Sequence, residues 1–181
     1  MRRTGVVPTG VERRFGENEL IVSKTDPKGI LTYANDVFVR VSAFSEGELL
    51  GQPHNIVRHP DMPRSVFKRV WDTLGAGREV FVYVNNLAAD GANYWVFAHM
   101  TPSYDRAGRL VGYHSNRRCP DREAVRAADA LYAQVRAVEQ RQQRTPDAIA
   151  AGTDEFERRL GDLGQTYDQF VWTLTNRSLT A

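Results

Sequence analysis

The chain has one cysteine in 181 residues, no glycine-rich phosphate loop and no long apolar run. Each absence removes a class of function. A lone Cys119 excludes internal disulfides and any CxxC metal or redox pair, so electron chemistry here is not thiol chemistry. No GxGxxG or GxxxxGK[ST] sequence occurs, which removes the Rossmann and P-loop nucleotide enzymes. No stretch approaches the roughly 20 apolar residues that span a bilayer, and the N-terminus lacks the apolar centre of a signal peptide. The expectation is a cytoplasmic protein without direct membrane insertion. A net charge of +2, from 24 basic and 22 acidic residues spread along the chain, argues against a nucleic-acid surface. Nucleophile–base pairs, metal-ligand spacings and paired carboxylates are also missing, so the reading is not an enzyme.

What is present is an ordinary globular composition, 41% hydrophobic and 25% charged, sufficient for one domain with appendages. Residues 1–17 mix Arg, Gly and Pro without periodicity and read as an N-terminal cap, flexible or a short helix. Strands are expected at Leu20–Lys24 and Ile30–Tyr33, joined by the Pro/Asp/Gly turn from Thr25 to Gly29. A short helix begins at Asn35, with Asn35 or Asp36 as its cap, and Ser45 with Glu48 makes a capping box. Arg64–Leu74 is amphipathic, with Val66, Phe67, Val70, Trp71 and Leu74 on one face. Three strands follow, Val80–Asn86, Asn93–Thr101 and Leu110–Asn116, separated by turn residues. Strands split by helices with hairpins at both ends indicate an α+β domain with an antiparallel sheet.

Residues 120–181 read as a helical extension. Val125, Ala128, Leu131, Val135 and Val138 mark one stripe, and Thr145-Pro146-Asp147 restarts the helix. Phe156, Leu160, Leu163, Tyr167, Phe170 and Leu174 then recur at heptad spacing. That seam can close a bundle within the chain, form a homodimer through the C-terminal helices, or dock on a partner.

The densest polar cluster lies in Gly51–Pro63, GQPHNIVRHPDMP. Prolines stiffen the backbone where His54, Asn55, Arg58, His59 and Asp61 gather. Arg58 and His59 can meet a phosphate or carboxylate, with Asp61 placed to fix one of them; the plain alternative is a solvated surface turn in which Asp61 pairs with Arg58. Strand parity adds a second feature. Tyr94, Val96 and Ala98 face one side of their strand and, carrying the small residues, make the better floor for a ligand slot. Trp95, Phe97 and His99 face the other, where the terminal helices can cover them.

The run Thr32–Trp71, with its YAND, GQPHN and RHPDMP motifs, resembles the PAS sensor domain of the bacterial aerotaxis and energy-taxis receptor family. The segment from Phe81 to Arg118 is similar to the soluble PAS proteins that work beside a separate membrane receptor. The resemblance implies a PAS fold over residues 18–119, a five-stranded antiparallel sheet with short helices on one face. It implies FAD as cofactor, a redox or oxygen sensor as function, and a membrane-bound chemoreceptor or signalling protein as partner.

It also implies roles for residues. Asn86 occupies the position of the amide near flavin N5, with Asn85 its rival by one residue, and His114 that of a further polar contact. Phe67 and Trp71 are placed for ring contacts, with core packing as the alternative. Asn35 corresponds to the asparagine of YAND, with helix capping as its alternative. Arg58 and His59 correspond to the Arg and His of RHPDMP and would serve the pyrophosphate or adenosine end. His54 stands where the blue-light relatives carry a photoactive cysteine, so adduct chemistry is not expected. Val80 stands where the membrane-bound receptors usually have tryptophan, so one ring contact is missing. Two other functions stay open: a haem-based gas sensor using His54, His59, His99 or His114 as axial ligands, and a cofactor-free PAS dimerisation or interaction module.

Overall fold

The computed structural model describes residues 5–177, with the side chains of the last two left aside. The first four residues of the expected N-terminal cap and the last four of the helical extension lie outside the described residues. Five strands, β1 (Leu20–Thr25), β2 (Leu31–Ala34), β3 (Val80–Leu87), β4 (Asn93–Tyr104) and β5 (Leu110–Arg118), form one sheet in the order β2-β1-β5-β4-β3. Every neighbouring pair is antiparallel. The crossover from β2 to β3 carries α1 (Asp36–Ser42), α2 (Glu46–Leu49), a 3₁₀ turn (His54–Val57) and α3 (Arg64–Gly75).

Local chemistry accounts for these elements. Asp26 Oδ1 accepts from the Lys28 and Ile30 amides and closes the first hairpin. Asn35 caps α1, and the Ser45–Glu48 capping box opens α2. Val66, Val70 and Leu74 of α3 are buried against the sheet, whereas Trp71 stays 40% exposed. The N-terminal segment departs from expectation. Residues 9–13 run extended rather than helical, because the amides of Thr9 and Arg13 donate to the Gly91 and Asn93 carbonyls and Val11 accepts from Asn93. Phe15 is buried at the end of this run.

The extension forms three helices, α4 (Arg122–Glu139), α5 (Thr145–Asp162) and α6 (Tyr167–Arg177). The heptad seam does not continue through them as one helix. Gly164, at φ 64°, ends α5 in a Schellman motif in which the Gln165 amide donates to the Leu160 carbonyl. Leu163 is left 58% exposed, while Phe156, Leu160, Tyr167, Phe170 and Leu174 are buried within this chain. These five pack within the chain, which is the bundle-closing alternative for the seam.

The helices cover the outer face of β3 and β4. Tyr132 stacks on Trp95, and the Tyr132 and Tyr167 hydroxyls donate to the Tyr83 and Phe81 carbonyls. Helix α5 continues onto α3, where Arg69 pairs with Glu157. The junction is sealed by Glu139, buried at the end of α4. Its carboxylate accepts from the Arg64 and Ser65 amides at 2.8 and 2.9 Å and from the Ser65 hydroxyl at 2.7 Å. Only glycine fits beside it, since a Cβ on Gly152 would lie 2.5 Å from Glu139 Oε1.

Replacing Glu139 with Ala leaves two amides and a hydroxyl at the start of α3 without partners. The expected loss is about 2–3 kcal/mol of unfolding free energy, read as a lower urea midpoint, since bonds to a charged group contribute about 1.5–3 kcal/mol. An unchanged midpoint would show that the junction does not depend on this carboxylate.

Candidate cofactor-binding site

The inner face of the sheet does not pack fully against α3. Between them lies a cavity of about 200 Å³. Its floor is Val82, Val84, Val96, Ala98 and Met100, and its helical wall is Phe67, Val70 and Trp71. Alternation along the strands decides these positions: even-numbered residues of β3 and β4 face inward, odd-numbered residues of β5 do the same. Hence Asn86 reaches the cavity and Asn85 does not; Asn85 accepts instead from Asn93 Nδ2. Val80 is buried in the same strand but does not line the cavity.

The polar rim is small and specific. His54, Asn55 and Arg58 approach from the central loop, Ser115 and Arg117 from β5, and Asn86 from β3. Arg117 is 2% exposed and stands across the sheet from Ala98, whose small side chain leaves it room. One guanidinium nitrogen donates to Ser23 Oγ, and the guanidinium lies 4.5 Å from the centre of the Phe38 ring. Its Nε and Nη1, like Ser115 Oγ, are buried with no hydrogen-bond partner among the described residues. Burial lowers its pKa to about 10, which still leaves it protonated. Arg58 lies 4.4 Å over the Phe67 ring and donates to the Met62 carbonyl at 3.1 Å. A backbone bridge joins it to Asn86.

The structure thus brings His54, Arg58, Phe67, Trp71 and Asn86 around one cavity and separates the other candidates from it. Asn35 is spent on architecture: its Oδ1 accepts from the Val22 and Phe38 amides and its Nδ2 donates to the Leu20 carbonyl. His59 is buried, and its Nδ1 accepts from the Asp61 amide. Asp61 is 57% exposed and faces His59 and Arg136, not the cavity. Tyr94 shares the inner parity of Val96 and Ala98, yet it is fully buried off the cavity, its hydroxyl without a partner among the described residues. His114 belongs to the outer face, where its Nε2 meets Asn116 Oδ1 at 3.0 Å. The residues that sequence reasoning missed are its neighbours Ser115 and Arg117. Applying to β5 the parity used for β4 would have found them.

A flat ligand with an apolar body and carbonyl or nitrogen acceptors at one edge fits this lining. The walls are aliphatic and aromatic, while Arg117, Ser115 and Asn86 offer donors along one side. The antiparallel five-stranded sheet with its intervening helices has the α+β architecture of the PAS fold. Residues 31–117 match the family model described as PAS fold. It is 41% identical over 118 residues to the aerotaxis receptor of Escherichia coli K12, covering 65% of this chain and 23% of the receptor. It is 32% identical over 92 residues to the nitrogen fixation regulatory protein of Klebsiella pneumoniae, covering 51% and 19%. The chain therefore spans less than a quarter of the length of these relatives. A solved light-oxygen-voltage domain, whose mechanism was probed with a flavin analogue, superposes with a TM-score of 0.54 at 20% identity over 60% of this chain and 81% of its own. At that identity the likeness is one of fold. No helix among the described residues is long and apolar enough to cross a membrane.

The cavity also sets the state of His54. Its ring stacks against Phe38 and its Nε2 lies 3.4 Å from Ser23 Oγ. Burial, reinforced by the nearby Arg117 charge, lowers its pKa to about 3. Above pH 6.5 the ring is neutral folded and unfolded, and it contributes nothing to pH dependence. As pH falls from about 6.5 towards 3, the unfolded chain takes up a proton that the native ring refuses, so stability falls. His54→Gln removes this loss. Its stability relative to wild type should improve by about 1.4 kcal/mol per pH unit below 6.5, read from urea unfolding at pH 7 and pH 5. A difference independent of pH would mean that the native ring titrates normally.

Proposed function

We propose that the chain is a cytoplasmic redox sensor that holds FAD, with the ring in this cavity, and relays its redox state to a chemotaxis-type signalling partner without turnover. The observation that carries the reading is Arg117, a protonated guanidinium aimed into an apolar cavity with two nitrogens unpartnered. Burying such a group costs free energy unless something accepts from it, and a ring edge bearing carbonyls and nitrogens does so. The relatives point the same way, one being an aerotaxis receptor and one fold neighbour a domain probed with a flavin analogue.

When bound, a flavin supplies one- and two-electron redox chemistry. The residues of this chain bind and report. Phe67, Trp71, Val84 and Val96 enclose the ring and keep water from it; Arg117 and Ser115 donate to its polar edge. The Asn86 amide can turn either its carbonyl or its NH₂ group inward, so it can follow a change from acceptor to donor at the ring edge. Turning it loads the backbone bridge to Arg58 and, through the central loop, the start of α3, where Glu139 of α4 is attached.

The competing readings meet structural obstacles. His99 and His114 are on the outer face and the His59 Nδ1 is occupied, leaving His54 as the cavity's histidine among those proposed as haem ligands. A module without cofactor would keep the Arg117 and Ser115 atoms buried and unpaired.

The test is an absorbance spectrum of the purified protein in air and after chemical reduction, with the released cofactor separated by chromatography. Flavin bands that bleach, and FAD in the extract, are expected. A Soret band, or a blank spectrum that persists after incubation with FAD, would overturn the reading. Two variants test the roles. Arg117→Met should fold and lose at least tenfold in FAD affinity. Asn86→Ala should keep its flavin yet lose the redox-dependent change in protease sensitivity of the helical extension; an undiminished change would remove Asn86 from the relay.

A further inference from the structure

The cavity is too small for a dinucleotide. At about 200 Å³ it falls below the roughly 300–1,000 Å³ of pockets that enclose drug-sized ligands. A flavin ring can enter; a second nucleotide must lie elsewhere. The cavity shares one wall residue, Arg58, with a second and larger space. This is a groove of about 550 Å³ between the central loop and the turn that joins α4 to α5.

The groove is strongly cationic. Arg58 and Arg64 line it from the loop side, Arg136 and Arg144 from the extension, with Gln140 and Gln143 between them. One carboxylate, that of Glu139, also lines it, and both its oxygens are already bound to the start of α3. The same bonds occupy the amides of Arg64 and Ser65, so it is the guanidinium groups that face an incoming anion. Their existing partners are weak. Arg58 donates to the Met62 carbonyl, Arg136 donates to the Asp61 carbonyl and lies 3.9 Å from the Asp61 carboxylate, and Arg144 lies 3.9 Å from Asp147. The Arg64 side chain has no ion pair among the described residues. Burial first and the charge of Arg64 second lower the pKa of Arg58, with Glu139 acting the other way.

Four guanidinium groups lining a groove that shares Arg58 with the cavity are suited to a pyrophosphate, each offering paired donors to phosphate oxygens. We propose that this groove binds the pyrophosphate and adenosine half of FAD, so that the helical extension completes the cofactor site. The inference rests on the FAD reading given above. It assigns Arg136, Gln140, Gln143 and Arg144, all beyond the matched residues 31–117, a share in binding. It also makes the position of the α4–α5 turn depend on which flavin is bound: FAD bridges the loop and the extension, whereas riboflavin does not.

The experiment uses the full chain stripped of flavin, titrated with FAD, FMN and riboflavin by flavin fluorescence, as wild type and as Arg144→Glu. Arg144 is suited to the substitution because its side chain is 76% exposed. Wild type should bind FAD at least tenfold more tightly than FMN or riboflavin. Arg144→Glu should lose about tenfold for FAD and keep its riboflavin affinity. In parallel, FAD but not riboflavin should slow tryptic cleavage after Arg141 and Arg144 in wild type. Equal affinities for all three flavins, with cleavage in this turn indifferent to FAD, would overturn the groove and leave the ring site standing. No binding of any flavin by wild type would overturn both. If Arg144→Glu also loses riboflavin, its fold is disturbed, and the cleavage experiment on wild type decides.

Discussion

The carboxylate of Glu139 is the contact on which the arrangement of the two halves depends. It is an acid from the last turn of α4 buried on the first turn of α3, and it is bound there three times. A buried carboxylate is tolerated only where its oxygens are satisfied, so the end of α4 cannot slide without breaking several bonds together. Gly152 extends the constraint to α5, because its missing side chain lets that helix pass against the same carboxylate. The start of α3 is thereby fixed, and with it Arg58, Phe67 and Trp71, which shape one side of the cavity.

This external clamp matters because the domain is partly hollow. A sheet whose inner face borders a cavity forfeits packing there, and each missing contact weakens the native state. The outer face compensates. Trp95, Tyr132, Phe156 and Tyr167 form a run of rings with centroids about 6 Å apart, which joins the sheet to the extension. The Tyr132 and Tyr167 hydroxyls bind carbonyls of β3, an edge strand whose outward groups would otherwise be open to pairing with another chain. One set of helices thus supplies apolar burial, satisfies the sheet edge and holds the cavity wall.

Much of this was legible in the sequence, where the signal was local. Asn35, the Ser45–Glu48 box and Asp26 act through neighbours a few residues away, and their elements begin where that chemistry puts them, whereas α5 begins at Thr145 with Arg144 before it and no side-chain cap. The cavity floor followed from alternation along β4. What failed was nonlocal or turned on a single residue. The resemblance points to His114 alone, whereas Ser115 and Arg117 line the cavity, and a one-residue difference in a strand exchanges the two faces. An arginine in a strand suggests an exposed side chain by composition; only the sheet shows that Arg117 is opposite Ala98 and enclosed. The heptad spacing ran unbroken across Gly164 because a Schellman turn can return the chain with its apolar residues still facing the same core. Glu139, a charged residue at a helix end, carries no sequence sign of burial, since its partners are amides 74 and 75 positions away.

A signal from the cavity must bias two arrangements of some element, and no ligand can shift them further than its difference in affinity for the two. The centre of the sheet is a poor candidate, because β4 and β5 are each paired on both sides and the outer face of β4 is packed with aromatic rings. The central loop is better suited. It touches β3 through the Arg58–Asn86 bridge, lies against the extension through Arg136, and leads directly into the helix that Glu139 holds. Arg58 belongs to both the cavity and the groove, so a change at the ring edge and a charge in the groove act on one side chain. If the proposed cofactor spans both, the loop is the element whose position each half of the ligand can bias, and the extension is the first part of the chain to register it.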